Sequence, residues 1–142
     1  EGAGHKRGEF YITNIIKRRP PNNRDPLPQE IELYKPYLEA QIKIISPRVI
    51  VTLGRYAMDY FVSDRKISRD QGKIFWWGDA LLMPLYHPAA ALRRADLVSD
   101  ILQGLKKISR LTREYESLLK KKIGHKNNSQ PETQKEQPKL FA

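Results

Sequence analysis

The run Arg48-Val49-Ile50-Val51-Thr52-Leu53 constrains this chain more than any other segment. Continuous apolar stretches of this length, without polar alternation, are expected of a strand covered on both faces, and such strands belong to parallel sheets flanked by helices. Gly54 then supplies a turn, and Arg55 to Phe61 reads as a short helix. Lys73 to Trp77 and Ala80 to Tyr86 read as two strands joined by a tight Gly78-Asp79 turn, with Trp76 and Trp77 facing opposite ways. Residues 9–16 are aromatic and β-branched, which predicts a further strand.

Two helices complete the pattern. From Leu27 an apolar stripe of Ile31, Tyr34, Leu38, Ile42 and Ile45 follows helical spacing, with Pro28 in the first turn and Pro36 predicting a kink or a late start. The longest helix is expected from Asp96, its stripe formed by Leu97, Ile101, Leu105, Ile108, Leu111, Tyr115 and Leu118, with lysines and arginines on the other face. Strand and helix alternate, so the class is α/β. After Gly124 the composition turns to Lys, Asn, Gln, Glu and Pro, and residues 124–142 are expected to be a disordered basic tail. Residues 1–123 then form one domain.

Composition narrows the function. Lys and Arg number 26 against 16 Asp and Glu, a net charge of +10 that fits a polyanionic partner. Cysteine is absent, which excludes a disulfide framework, a thiolate metal site and a cysteine nucleophile. No apolar run approaches transmembrane length, and a cytoplasmic, nucleoid-associated protein is expected. The only methionines are Met58 and Met83, so an initiator is not present.

Ligands of open α/β sheets sit at the C-terminal ends of strands, and Asn14, Gly54 and His87 follow three such ends. An asparagine amide offers a donor and an acceptor to a base edge, and a histidine can donate to an oxygen that becomes anionic. The plain alternatives are a turn-forming asparagine and a His-Pro loop. Arg18, Arg19 and Arg24 lie in a proline-rich loop, which suits phosphate contact as well as it suits a solvated surface.

Four segments in order carry a resemblance. Tyr-Ile-Thr-Asn-Ile-Ile-Lys-x-Arg-Pro-Pro-Asn-Asn-Arg-Asp-Pro (11–26), Pro36-Tyr37-Leu38-Glu39-x-Gln41-Ile42, Pro47 to Gly54, and His-Pro-Ala-Ala-Ala-Leu-Arg (87–93) resemble the family 4, iron–sulfur type, uracil-DNA glycosylases, collinearly over residues 9–118. The resemblance implies a three-layer α/β/α fold with a four-stranded parallel sheet, here without its N-terminal strand and helix. It implies extrusion of deoxyuridine and hydrolysis of its glycosidic bond, as the first step of base excision repair. Asn14 would read the uracil edge, and His87 would stabilise the charge growing on the uracil oxygen. Leu92 would wedge into the minor groove, with Arg93 on a phosphate and Arg18, Arg19 and Arg24 on DNA.

Two departures qualify what is implied. Arg18 and Tyr34 stand where the family has two of its four cluster cysteines, so no 4Fe-4S cluster or other cofactor is expected; Arg18 either stacks on Tyr34 or points to solvent. The family's Gly-Glu-Ala-Pro-Gly segment, which helps position the attacking water, and its Phe-Val-Gly segment, which stacks on uracil, are absent. The chain is therefore expected to be the C-terminal two-thirds of a longer protein and to have little activity alone. Gln137, Leu140 and Phe141 resemble the peptide with which bacterial repair proteins dock to the sliding clamp. The expected state is a monomer acting on uracil-containing DNA. The alternatives are a non-catalytic module for DNA binding and clamp recruitment, and a glycosylase of the same superfamily with another base preference.

Overall fold

The structure, a computed structural model, describes residues 4–128. Among these residues five α-helices and three strands build the fold: α1 (Pro28–Ile45), β1 (Val49–Leu53), α2 (Arg55–Phe61), α3 (Ile67–Asp70), β2 (Phe75–Trp77), β3 (Ala80–Leu85), α4 (Pro88–Ala91) and α5 (Leu97–Asn128). The sheet has the order β1-β3-β2. β1 runs parallel to β3 with Val49 opposite Leu81 and Leu53 opposite Leu85, whereas β2 is antiparallel to β3.

Helices cover both faces. Because side chains alternate along a strand, Leu81, Met83 and Leu85 face one way, where Ile108, Leu111 and Tyr115 of α5 bury them. Trp76 lies on this side against Tyr115, at 6.4 Å between ring centres. Trp77 points to the opposite face, where Phe61 of α2 meets it edge-on at 5.1 Å, so the two tryptophans part as expected. Arg65 stacks over Phe75 on that second face, 3.9 Å from the ring centre. α1 lies beside α2: burial, then Glu39 and Glu32, push the Tyr60 hydroxyl up to about 12.

β3 carries the centre of the core. All six of its residues are buried, including Pro84, which a central strand tolerates poorly because it lacks an N–H. Its carbonyl is still used, accepting the Gly72 N–H at 2.7 Å. Gly104 of α5 faces Leu85 so closely that a Cβ there would overlap the leucine methyl groups. Asp70, 1 % exposed, ties α3 down by accepting from the Lys66 N–H and from Arg69 and Lys73. Those donors hold its carboxyl well below the usual carboxylate range, the Arg69 hydrogen bond first.

Three expectations need correction. The layered α/β fold stands, and its three described strands agree with a four-stranded sheet without its N-terminal strand, but the sheet is mixed where a parallel one was implied. The Gly78-Asp79 turn gives the reason, since a two-residue connection can join only antiparallel neighbours. Residues 9–16 form no strand: Phe10 packs into the core beside His5, while Tyr11 and Ile12 stay exposed with no ladder partner. Finally, α5 runs to Asn128, so residues 124–128, expected in the tail, continue the helix. Gly124 and the polar composition after it suggested an end, but glycine and asparagine each cost a helix only about 1 kcal/mol or less, and the helix continues through them.

Candidate functional site

Parallel pairing of β1 and β3 brings their C-terminal ends to one rim. Gly54 follows β1 and donates its N–H to the Leu85 carbonyl at 2.8 Å, stitching the two ends together. His87 follows β3 and caps α4, where its Nδ1 accepts the Ala89 N–H at 3.1 Å. A ring nitrogen that accepts carries no proton, so this neutral ring bears its hydrogen on Nε2. The imidazole is exposed, with Nε2 left to donate to a ligand.

The segment after His87 forms the outer lip. Ala89, Ala90, Leu92, Arg93, Arg94 and Leu97 line an open cleft of about 500 Å³. Leu92 is 89 % exposed and forms the tip of this lip. Arg93 is exposed, while Arg94 is paired with Asp96.

The basic loop reaches the same rim through an ion pair. Asp25 accepts from Arg55 at 2.9 Å, and Arg55 opens α2 directly after Gly54. Within the loop, Arg18 is exposed and Arg19 is held by the Asn23 side chain. Asn22 and Asn23 take left-handed conformations, φ 54° and 52°, which asparagine tolerates better than most residues. Arg24 is differently placed. Its guanidinium forms a two-pronged pair with Glu30, at 2.8 and 2.7 Å, and Glu30 also accepts the Leu27 N–H at the start of α1. The Arg24 hydrogen bond, then the Leu27 N–H, draw the Glu30 carboxyl down to about 2. Arg24 therefore fastens the loop to the helix.

Asn14 is exposed and ends no strand, contrary to the sequence reading. It is placed by Lys17, whose ammonium donates to the Asn14 carbonyl at 2.8 Å, to Thr13 Oγ1 at 2.7 Å and to Gln41 Oε1 of α1 at 2.9 Å. Partial burial lowers the Lys17 pKa. Among the described residues no hydrogen bond joins Asn14 to His87. Sequence reasoning put Gly54 at a strand end without giving it a role, and missed Lys17 and Gln41, which tie the Asn14 backbone to α1. The one available signal was the glycine itself, placed where a strand ends.

Tyr34 is half-buried in α1 with Tyr37 as its ring neighbour at 6.3 Å, and no stacking of Arg18 on it is found. Among the described residues, no group of three His, Asp or Glu side chains is arranged to hold a metal. Nor is any described helix long and apolar enough to cross a membrane. Gln137, Leu140 and Phe141 lie outside the described residues.

The rim built from the ends of these parallel strands, with its imidazole and its leucine-tipped lip, belongs to an α/β protein with helices on both faces of the sheet. Comparison with known proteins gives the family. The profile of the uracil DNA glycosylase superfamily matches residues 1–109, and the chain belongs to that superfamily. It is similar to the type-4 uracil-DNA glycosylase of Sulfurisphaera tokodaii, at 42% identity over 120 residues covering 78% of this chain and 54% of that enzyme. The type-4 enzyme of Archaeoglobus fulgidus is 41% identical over 117 residues, 76% of this chain and 59% of its own length. That of Thermotoga maritima is 43% identical over 94 residues, 64% and 49%. The chain thus spans about half the length of the curated relatives it matches.

Proposed function

We propose that this chain carries the uracil-binding and leaving-group part of a uracil-DNA glycosylase that acts in base excision repair. The observation that supports it best is the His87 ring, fixed by the Ala89 N–H with Nε2 free to donate at the rim of β1 and β3. In the reaction the N1–C1′ bond breaks and its electron pair leaves with uracil, spread over N1 and O2. A water then delivers hydroxide to C1′, and its remaining proton ends on the uracil anion. The Nε2 hydrogen, aimed at O2, stabilises charge that exists only as the bond breaks, so it lowers the barrier more than it tightens ground-state binding. A neutral donor is sufficient, because the leaving group needs a hydrogen bond and not a proton.

Asn14 is the proposed reader of the uracil edge, its backbone carbonyl tied through Lys17 to Gln41 of α1. Leu92 fills the gap left by the flipped nucleotide, and Arg93, Arg18 and Arg19 contact phosphates. Arg24 contributes indirectly, by holding the loop. A cysteine-held iron–sulfur cluster does not fit this chain, which has no thiolate donor and has Arg18 and Tyr34 at the matching positions. No step depends on one. Gln137, Leu140 and Phe141 are proposed to recruit a sliding clamp, and the working form is proposed to be a monomer associated with the nucleoid.

The test is cleavage of a uracil-containing oligonucleotide followed by alkali, using this chain and a chain extended by the additional segment of a type-4 relative. The extended chain should cut, and His87→Ala should lower its rate by roughly 100- to 1000-fold. The net charge of +10 supports one second reading, a non-catalytic module for DNA binding and clamp recruitment. Binding of DNA and clamp by both chains, with no cutting by either, would establish that reading instead.

A further inference from the structure

Gly54 does more than turn the chain. Its φ of 85° and ψ of 172° lie in a region that is almost reserved for glycine. Its N–H goes to Leu85, and its carbonyl accepts from the Met58 N–H at 3.1 Å to start α2, so both ends of this peptide are fixed. What the missing side chain leaves open is filled by His87. A Cβ on Gly54 would stand 3.1 Å from the His87 Cβ and 3.8 and 3.9 Å from ring atoms Cγ and Cδ2. The His87 Cβ is thus the atom that a methyl at position 54 would press, and the ring moves with it. Among the described residues the ring's only hydrogen bond, from the Ala89 N–H at 3.1 Å, is already at the long end of the normal range.

We infer that Gly54 is a positioning residue for His87, setting both where the imidazole sits and which nitrogen carries its proton. The inference rests on the glycosylase reading for its meaning in catalysis, but its geometry stands apart from it. A methyl group at position 54 displaces the His87 backbone and ring by a few tenths of an ångström. The Nδ1 contact with Ala89 then lengthens beyond a useful hydrogen bond, and the ring is released to populate the Nδ1–H tautomer. Nothing then keeps a hydrogen on Nε2 facing the ligand.

The test is spectroscopic and needs no activity. The full chain is labelled with ¹⁵N in its histidine rings, and the two-bond ring correlations of its three histidines are assigned by substitution. The His87 pattern should be that of a single Nε2–H tautomer, and in Gly54→Ala it should become an average of both tautomers. Gly78→Ala is the control. Gly78 also has a positive φ, 56°, but no atom lies within 4 Å of its would-be Cβ, so that variant should keep the His87 pattern unchanged. An unchanged pattern in Gly54→Ala overturns the inference.

If Gly54→Ala does not fold, the double variant Gly54→Ala, His87→Gly decides, since it removes the Cβ that the methyl would strike. Recovery of folding supports the contact. Failure to recover assigns the defect to backbone conformation alone and overturns the inference. In the extended chain, uracil release by Gly54→Ala should fall roughly 10- to 100-fold in kcat with KM little changed. A tautomer change in a chain that never releases uracil would retain the positioning role and remove the glycosylase reading.

Discussion

Gly104→Ala should destabilise this protein, although the same change in an ordinary helix interior stabilises. Alanine is favoured over glycine in a helix by about 1 kcal/mol, through the lower conformational freedom of the unfolded chain. Gly124, in the same helix and with nothing within 4 Å of an added Cβ, should show that gain, or somewhat less so near the helix end. At Gly104 the methyl would overlap Leu85 Cδ2 and lie 3.1 and 3.2 Å from Cδ1 and Cγ. Leu85 is fully buried where β3 packs on α5, so its methyl groups can yield only by disturbing that packing. Overpacking of this kind costs about 1–3 kcal/mol, so the net effect is about 0–2 kcal/mol of destabilisation. The two variants should therefore differ by about 1–3 kcal/mol in urea unfolding, or roughly 4–12 °C in Tm at about 4 °C per kcal/mol. Leu85→Ala alone should cost about 2–5 kcal/mol, and the double variant Gly104→Ala, Leu85→Ala less than the sum, because the second change removes the clash. Equal stabilisation by Gly104→Ala and Gly124→Ala would refute the contact.

The remaining expectations concern charge and the lip. Glu30 has its pKa lowered, so its bond to Arg24 stabilises the fold above the unfolded carboxylate range and is lost as pH falls through about 2; Glu30→Gln should flatten the stability profile between about pH 4.5 and 2, and an unchanged acid limb would refute the assignment. Asp70→Asn places an amide against the Arg69 and Lys73 donors in a buried site, and Tm at neutral pH should drop by roughly 5–15 °C. Since Asp70 is held well below the usual carboxylate range, its contribution is present above the unfolded Asp pKa, so the difference from wild type should shrink as pH falls toward and below it. Leu92→Ala should leave Tm within 1–2 °C, roughly, because the side chain is exposed, while weakening binding to duplex with an extrahelical nucleotide by roughly tenfold. Equal loss on undamaged duplex would show that Leu92 is not a wedge.

Much of the fold was legible because apolar spacing is a direct record of burial. The α5 stripe from Leu97 to Tyr115 and the hairpin around Gly78-Asp79 stand where spacing put them. What misled was local propensity without a partner: Tyr11 and Ile12 suit a strand, yet no described strand pairs with them and they lie exposed. The place of His87 after β3 was legible, since the apolar run before it marks a buried strand. Arg24 was less legible, since the Glu30 carboxylate six residues on takes up its guanidinium. Gly54 escaped because its role depends on a contact with a residue far along the chain, which spacing cannot encode.

Pairing of β1 with β3 also sets when the rim comes into being. The β2–β3 hairpin closes across two residues and can form in microseconds. β1 must instead find β3 across about thirty residues, with α2 and α3 folded between them, and that non-local step is the slower one. Gly54 and His87 meet only when it is complete. A chain caught with its hairpin formed and its crossover open has every residue of the rim and none of its geometry, so competence to bind should rise with the last kinetic phase of refolding.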